Sequence, residues 1–155
     1  MRIALLSFEY PPETGFGGIG TYTWNQARAL TKLGHEVHVL AGSMTPTQGL
    51  QSKDDDGVRV WRYRSDSFPL GVLLRRLDRH GLWWTRIRLQ NAVSMYRGLA
   101  DLRRQHVFDV IEMPECGAEG LLINHLTRVP TVVRFHGPAR LVMGDRFWRC
   151  PRPPR

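Results

Sequence analysis

The chain has 155 residues, 22 basic against 14 acidic side chains, two cysteines and 42% hydrophobic residues. That length suits one domain with a core of its own, and the composition excludes a disordered chain and a disulfide scaffold. No stretch approaches the roughly 20 apolar residues of a membrane span, and the apolar run at residues 3–6 meets Glu9 too soon for a signal peptide. Cys116 and Cys150 have neither zinc nor redox spacing, which fits a reducing cytoplasm. The net charge of +8 is local: residues 59–104 hold 11 basic and 3 acidic side chains, and residues 146–155 hold four arginines and no acid.

Residues 2–8, Arg-Ile-Ala-Leu-Leu-Ser-Phe, form a nearly continuous apolar run, the pattern of a strand buried on both faces. A loop, Glu9-Tyr-Pro-Pro-Glu-Thr-Gly15, and a glycine cluster, Gly17-Gly-Ile-Gly20, follow. From Thr21 the spacing of Tyr22, Ala27, Leu30 and Leu33 predicts a helix that Gly34 ends from the C′ position. Residues 36–41 alternate as a second strand, residues 43–57 have the composition of a loop, and residues 58–63 alternate as a third strand. Trp84, Ile87, Asn91, Met95, Leu99 and Leu102 predict a long helix, with Arg86, Arg97 and Arg104 on its opposite face. Residues 108–113 predict a fourth strand. Ala118, Leu121, Leu122, His125 and Leu126 predict a further helix, and residues 131–135 a fifth strand that ends at His136-Gly137-Pro138. This alternation predicts an α/β fold, a Rossmann-like, mostly parallel sheet with helices on both faces.

In such a sheet ligands bind beyond the C-terminal strand ends. Gly15-x-Gly17-x-x-Gly20 has the spacing of a dinucleotide fingerprint, but Glu9 to Thr14 separate it from the strand. Ala41 and Gly42 also stand where the second strand should end in an acid. The glycines therefore predict backbone amides close to a phosphate at a helix N-terminus, or a tight loop with positive φ, instead of a nicotinamide or flavin site. His136, at the end of a strand, is either a catalytic candidate or a structural histidine. Glu115 either meets a ligand or caps a helix starting near Gly117. Asp54-Asp-Asp-Gly57 has the character of a solvated turn, not of a metal site, and His35 and His38 are expected to be structural.

Taken in order, the opening strand, Glu9-Tyr-Pro-Pro-Glu, Gly17-Gly-Ile-Gly20, Leu33-Gly-His-Glu-Val-His-Val39, Asp109-Val-Ile-Glu-Met-Pro-Glu115, Gly117-Ala-Glu-Gly120 and Val133-Arg-Phe-His-Gly137 resemble the N-terminal half of family 4 glycosyltransferases. These are retaining sugar transferases built from two Rossmann domains, the GT-B arrangement. The resemblance covers residues 1–145 and leaves 146–155 as an irregular Pro/Arg-rich tail. It implies that the backbone of Gly17 and Gly18 faces the donor diphosphate. It further implies that His136 is the catalytic residue beside the transferred sugar, and that Glu9, Tyr10 and Glu115 border the acceptor pocket. The implied partners are a nucleotide-sugar donor and a sugar or lipid-linked acceptor, with no metal, no cofactor and no nucleic acid. The family's second domain supplies a basic pair and two glutamates eight residues apart, and no two glutamates of this chain have that spacing. The expectation is a truncated transferase, inactive without a C-terminal donor domain.

A reading from another class stands beside it. Leu70, Leu73, Leu74 and Leu77 form an apolar stripe next to Arg75, Arg76 and Arg79, which suits peripheral docking on the anionic inner face of a membrane. The alternative is a solvated helix face, which Asp101 partly neutralises. Trp61, Tyr63, Trp83 and Trp84 lie near arginines but carry no nucleic-acid reading motif. Trp83-Trp84 reads as core or as domain-interface surface.

Overall fold

The computed structural model describes residues 1–15, 17–45, 50–64, 82–116, 119–123 and 127–137. Arg75, Arg76 and Arg79, Cys150, the 146–155 tail, and Ala118, His125 and Leu126 of the expected helix lie outside them. Six strands form one sheet in the order β3-β4-β2-β1-β5-β6. They are β1 (Arg2–Ser7), β2 (Glu36–Gly42), β3 (Gln51–Asp55), β4 (Val58–Tyr63), β5 (Val110–Pro114) and β6 (Thr131–Arg134). All neighbours pair in parallel except β3 with β4.

Strand alternation divides the core between two helices, α1 (Gly18–Lys32) and α2 (Trp83–Arg103). Ile3 and Leu5 of β1 join Val37, Val39, Ala41, Val58 and Val60 in a cluster with Ala27 of α1. Ala4 and Leu6 point the other way and join Leu40, Ile111 and Met113 with Met95, Leu99 and Leu102 of α2. A near-continuous apolar strand is thus buried on both sides, each leucine contributing about 1.5–3 kcal/mol by leaving water.

The glycine cluster is not a lead-in to α1 but its first turn, since the helix starts at Gly18, three residues before the sequence pattern places it. It ends as the sequence predicts. Gly34 has φ +85°, the Gly34 amide donates to the Thr31 carbonyl at 2.9 Å, and the His35 amide reaches back to Leu30 at 3.1 Å. Those two bonds define a Schellman cap, and the left-handed residue in it favours glycine.

Residues 43–57 are not all loop. Residues 51–55 pair antiparallel with β4, and Asp56 (φ 54°) and Gly57 (φ 82°) make the two-residue turn between them. An Asp-Gly hairpin turn of this kind matches the twist of the flanking strands. The strand escapes a periodicity reading because Gln-Ser-Lys-Asp-Asp has no apolar face. As an outer strand it is held by backbone pairing, and its charges discourage further pairing.

The apolar stripe of α2 is buried from Asn91 onward, whereas Trp84 and Ile87 are exposed. A helix of 21 residues is about 31 Å long, while strands of 5–7 residues span only about 17–23 Å, so its first turns overhang the sheet. Residues 119–122 form a turn and Ile123 is helical; Glu119 and Ile123 are buried, while Leu121 is exposed.

Candidate functional site

In chain order the parallel strands are β1, β2, β4, β5 and β6, so their spatial sequence is third, second, first, fourth, fifth. The order reverses between β1 and β5, and the crevice at such a reversal is where doubly wound sheets take ligands. The segments after β1, β5 and β6 meet there, together with the N-terminal half of α1.

Glu9 leaves β1 and turns onto α1. Its Oε2 accepts the Gly20 amide at 3.2 Å and lies 3.0 Å from where a Gly17 Cβ would stand. Gly17 is the N-cap, without a side-chain cap and without an acid in the first turn, so the Glu9 carboxylate supplies negative charge at the positive helix end. Gly18 is different. Nothing lies within 4 Å of a Cβ built there, and its backbone is not left-handed. Its missing side chain serves no contact among the described residues and leaves the first turn open from outside.

Tyr10 departs from the expectation that it borders an acceptor pocket. It is 1% exposed, part of the α1-side core, and its hydroxyl donates to Asp55 Oδ2 at 2.9 Å. Burial first, then the hydrogen bond and charge of Asp55, push its phenol well above the usual range. The apolar ring ties the loop to β3 and presents no free face.

Glu115 turns its carboxylate to the end of β6. Both its oxygens accept the His136 amide at 3.0 Å, and Oε1 also accepts the Gly137 amide at 3.0 Å. Partial burial acts to raise its carboxyl, but the amide bonds and the charge of His136 prevail and lower it. The carboxylate therefore holds the backbone of the turn that carries His136. The His136 ring is exposed and packs edge-on to Tyr22 of α1, with centroids 4.9 Å apart at 73°.

His136 lines a small open pocket with Tyr22 and Gln26 of α1, Glu112 and Pro114 of β5 and Arg134 of β6, above Leu5 and Leu6. Glu112, unremarked in the sequence, is the hub. It accepts Gln26 Nε2 at 2.8 Å, Arg134 Nε at 2.9 Å and the Tyr22 hydroxyl at 3.4 Å. The Arg134 guanidinium lies 4.8 Å from the Tyr22 ring centroid. The available signal was a carboxylate inside Val-Ile-Glu-Met, since a parallel strand rarely spends an inward position on a charge without a partner.

Residues 17–154 match the family described as glycosyl transferase 4-like domain. The chain belongs to this family. The same fold is found in sucrose-phosphate synthase from Thermosynechococcus elongatus, with TM-score 0.62 at 13% identity over 94% of this chain and 36% of that one. It is found again in the catalytic domain of starch synthase IV from Arabidopsis thaliana, bound to ADP and acarbose, with TM-score 0.53 at 15% identity over 86% of this chain and 33% of that one. The chain therefore spans about a third of the length of these two structures. A comparison with curated proteins finds no match. The Rossmann-like sheet expected from the sequence is thus that of the N-terminal half of a GT-B glycosyltransferase.

Within this glycosyltransferase fold the loop after β1 is fastened by a residue the sequence did not single out. Arg62 of β4 donates to the carbonyls of Gly42, Tyr10 and Pro11 at 2.8, 2.9 and 3.2 Å and to Thr14 Oγ1 at 3.2 Å, and it pairs with Glu13 at 3.2 Å. Glu13 in turn accepts Ser43 Oγ at 2.6 Å and the Met44 amide at 2.7 Å. An arginine fork and a carboxylate thus satisfy the backbone of the loop carrying Glu9 and tie it to β4 and to the end of β2.

At the opposite end of the sheet Glu36, His38 and His106 offer ligand atoms within 4.8 Å of one another. The hydrogen bonds argue against a metal there. Trp61 Nε1, which can only donate, bonds His38 Nδ1 at 3.1 Å, so Nδ1 carries the lone pair and Nε2 the proton it gives to Glu36 at 3.0 Å. Glu36 is already held by Arg2 at 2.8 Å. His38 is structural, as the sequence suggested. Among the described residues no helix is long and apolar enough to cross a membrane.

Proposed function

We propose that this chain is the acceptor-side domain of a retaining glycosyltransferase that uses a nucleotide-sugar donor. The observation that carries the reading is the open first turn of α1 at the sheet reversal, next to the pocket that holds His136. The Gly17–Gly18 backbone faces the donor diphosphate, whose charge the helix N-terminus favours. His136 stands beside the transferred sugar, held at its backbone by Glu115 and at its ring by Tyr22. Glu9 borders the acceptor, and the acceptor is a sugar or a lipid-linked sugar.

In the proposed reaction the bond from the anomeric carbon to the diphosphate oxygen breaks as an acceptor oxygen bonds to that carbon from the same face. The acceptor proton passes to the departing diphosphate. Charge develops on the diphosphate, so stabilising it with oriented amides lowers the barrier, and this chemistry draws on no protein-bound metal or cofactor. A second domain provides most donor contacts, so this chain alone does not turn over.

The experiment is amide NMR of the labelled chain titrated with UDP-glucose, ADP-glucose and GDP-mannose, alongside an assay for released nucleoside diphosphate. Shifts confined to Gly17, Gly18 and His136 without turnover support the reading. Turnover by the chain alone overturns the part assigned to a second domain, and an unperturbed α1 with all three donors overturns the diphosphate site.

A second reading has its own observation. The overhanging turns of α2 expose Leu82, Trp84 and Ile87, with the Arg88 guanidinium 5.7 Å from the Trp84 ring centroid. Apolar side chains beside arginine suit an anionic lipid surface, and Arg75, Arg76 and Arg79 belong to the segment just before. Binding to vesicles containing phosphatidylglycerol that disappears in the R75E/R76E/R79E variant supports docking; equal binding by the variant rejects it.

A further inference from the structure

Among the described residues Glu119 is the only carboxylic acid that is fully withdrawn from solvent, at 5% exposure. Its Oε1 accepts the backbone N–H of Phe8 at 3.0 Å, while its buried Oε2 has no partner. The Asn91 side chain of α2 bonds the same carboxyl group, and Asn91 Oδ1 accepts the Tyr63 hydroxyl at 2.7 Å. Phe8 immediately precedes Glu9, whose Oε2 receives the Gly20 amide. A continuous set of contacts therefore runs from Tyr63 through Asn91, Glu119, Phe8 and Glu9 to the first turn of α1.

We propose that Glu119 is a positioning residue for the bend at Phe8–Glu9: its carboxyl group fixes Phe8 and so sets where the Glu9 carboxylate stands against α1. This rests on the reading of α1 as the diphosphate site only where ligand affinity is concerned. The geometry needs a group that accepts one amide bond without bringing a second charge beside Glu9. Burial, the dominant influence, and the nearby Glu9 push the Glu119 carboxyl up to about 8, against the Phe8 and Asn91 bonds and the charge of Arg88. Tyr63, the titratable group facing it from β4, is raised as well, first by burial and then by Glu119. At neutral pH Glu119 is accordingly a neutral acid, with one oxygen on Phe8 and the proton on the other. Ionisation places a charge among apolar groups and against Glu9, which drives the group outward and loosens Phe8 and Glu9 together.

The test is amide NMR of the full chain across the neutral to alkaline range, with inorganic pyrophosphate as the probe. Phe8 and Gly20 resonances are expected to move together with a midpoint near about 8, and pyrophosphate affinity to change about three-fold over the same step. Glu119→Gln, whose amide oxygen still accepts from Phe8, keeps both resonances at their neutral-pH positions and flattens the profile. Glu119→Leu displaces both at every pH; if that variant does not fold, Glu119→Gln alone decides. A Phe8 and Gly20 titration that survives in Glu119→Gln, or is absent from the wild type, overturns the proposal. Amides that titrate through Glu119 in a chain that never binds pyrophosphate support the positioning role and reject α1 as a phosphate site.

Discussion

The Glu9 carboxylate and the Gly20 amide are bonded at 3.2 Å across the entrance to α1, so the protein's own acid occupies part of the positive end of the helix. A diphosphate approaching Gly17 and Gly18 meets that charge. Replacing it while keeping the shape, as in Glu9→Gln, is expected to tighten pyrophosphate binding two- to five-fold, the equivalent of about 0.3–1 kcal/mol of relieved repulsion. Calorimetric titration of wild type and variant at low ionic strength checks it. Weaker binding by the variant reverses the assignment and makes Glu9 part of the anion site.

Gly18 and Gly34 separate space from conformation. At Gly18 a methyl group meets nothing within 4 Å, so Gly18→Ala is expected to leave stability unchanged or to raise it by up to about 1 kcal/mol. The same methyl narrows the approach to the first turn, and pyrophosphate binding is expected to fall about ten-fold if the ligand lies against it. Gly34 also has open space around it, but at φ +85° an alanine is strained, and Gly34→Ala should cost about 1–2 kcal/mol with no effect on ligand. Urea denaturation and pyrophosphate titration of the pair separate the two causes.

The Schellman end of α1 and the buried strands were legible because a single local rule decides each of them. Gly34 follows an amphipathic stretch, and Ile3 to Leu6 are apolar at every position, so no tertiary information is required. β3 was hidden because its residues have no apolar face, although Asp56-Gly57 was a usable hairpin signal. The site divides in the same way. Glycines before a helix and a histidine after a strand are visible in a string of letters. The uses of Glu112, Glu115 and Arg62 depend on partners 20 to 90 positions away, which topology alone brings together. Tyr10, set at the acceptor pocket by the resemblance, is buried for that reason too: Asp55 of the outer strand comes within reach of its hydroxyl.

Arg62 gives the loop after β1 its order, and the fork geometry carries the prediction. A lysine retains the charge facing Glu13 but cannot serve the Gly42, Tyr10 and Pro11 carbonyls together. Arg62→Lys should cost about 2–3 kcal/mol in urea unfolding, as buried carbonyls lose donors. Hydrogen exchange of the Thr14 amide, which donates to the Tyr10 carbonyl at 3.2 Å, should accelerate beyond what the global loss explains.

Glu112 makes a prediction about its neighbour. Burial first, then the Glu112 charge, raises the Tyr22 phenol above its usual value, with Arg134 opposing. In Glu112→Gln the raising charge is gone and Arg134, no longer neutralised, acts on the ring more strongly. The Tyr22 phenol should then titrate at lower pH than in the wild type, as read from its ring resonances. The lost charge-assisted bonds should cost about 1.5–3 kcal/mol. An unchanged or higher Tyr22 titration rejects the Glu112 charge as a cause of the raised phenol.

The sheet end opposite the site predicts how stability responds to acid. Hydrogen bonds from His38 and Arg2, the leading causes, hold the Glu36 carboxyl down at about 2 against an ordinary value of 4.5. As pH falls, the unfolded chain protonates Glu36 first, so its contribution is present above about 4.5 and is lost on the way down to about 2. His38 acts in the same direction at higher pH. Burial lowers its imidazole from 6.5, so acidification below that value favours the unfolded chain, where the ring charges freely. Glu119 has the opposite sign, its raised carboxyl removing stability as pH rises from 4.5 to about 8. The difference between wild type and Glu36→Gln cancels the Glu119 slope. That difference should be constant above about pH 7, where His38 is neutral in both chains, at about 1 kcal/mol or less because Glu36 is partly solvated, and should be lost between about pH 4.5 and 2 as the acid is titrated. Urea unfolding at a series of pH values measures it, and a difference that does not fall between about pH 4.5 and 2 shows that Glu36 is not held ionised by His38 and Arg2.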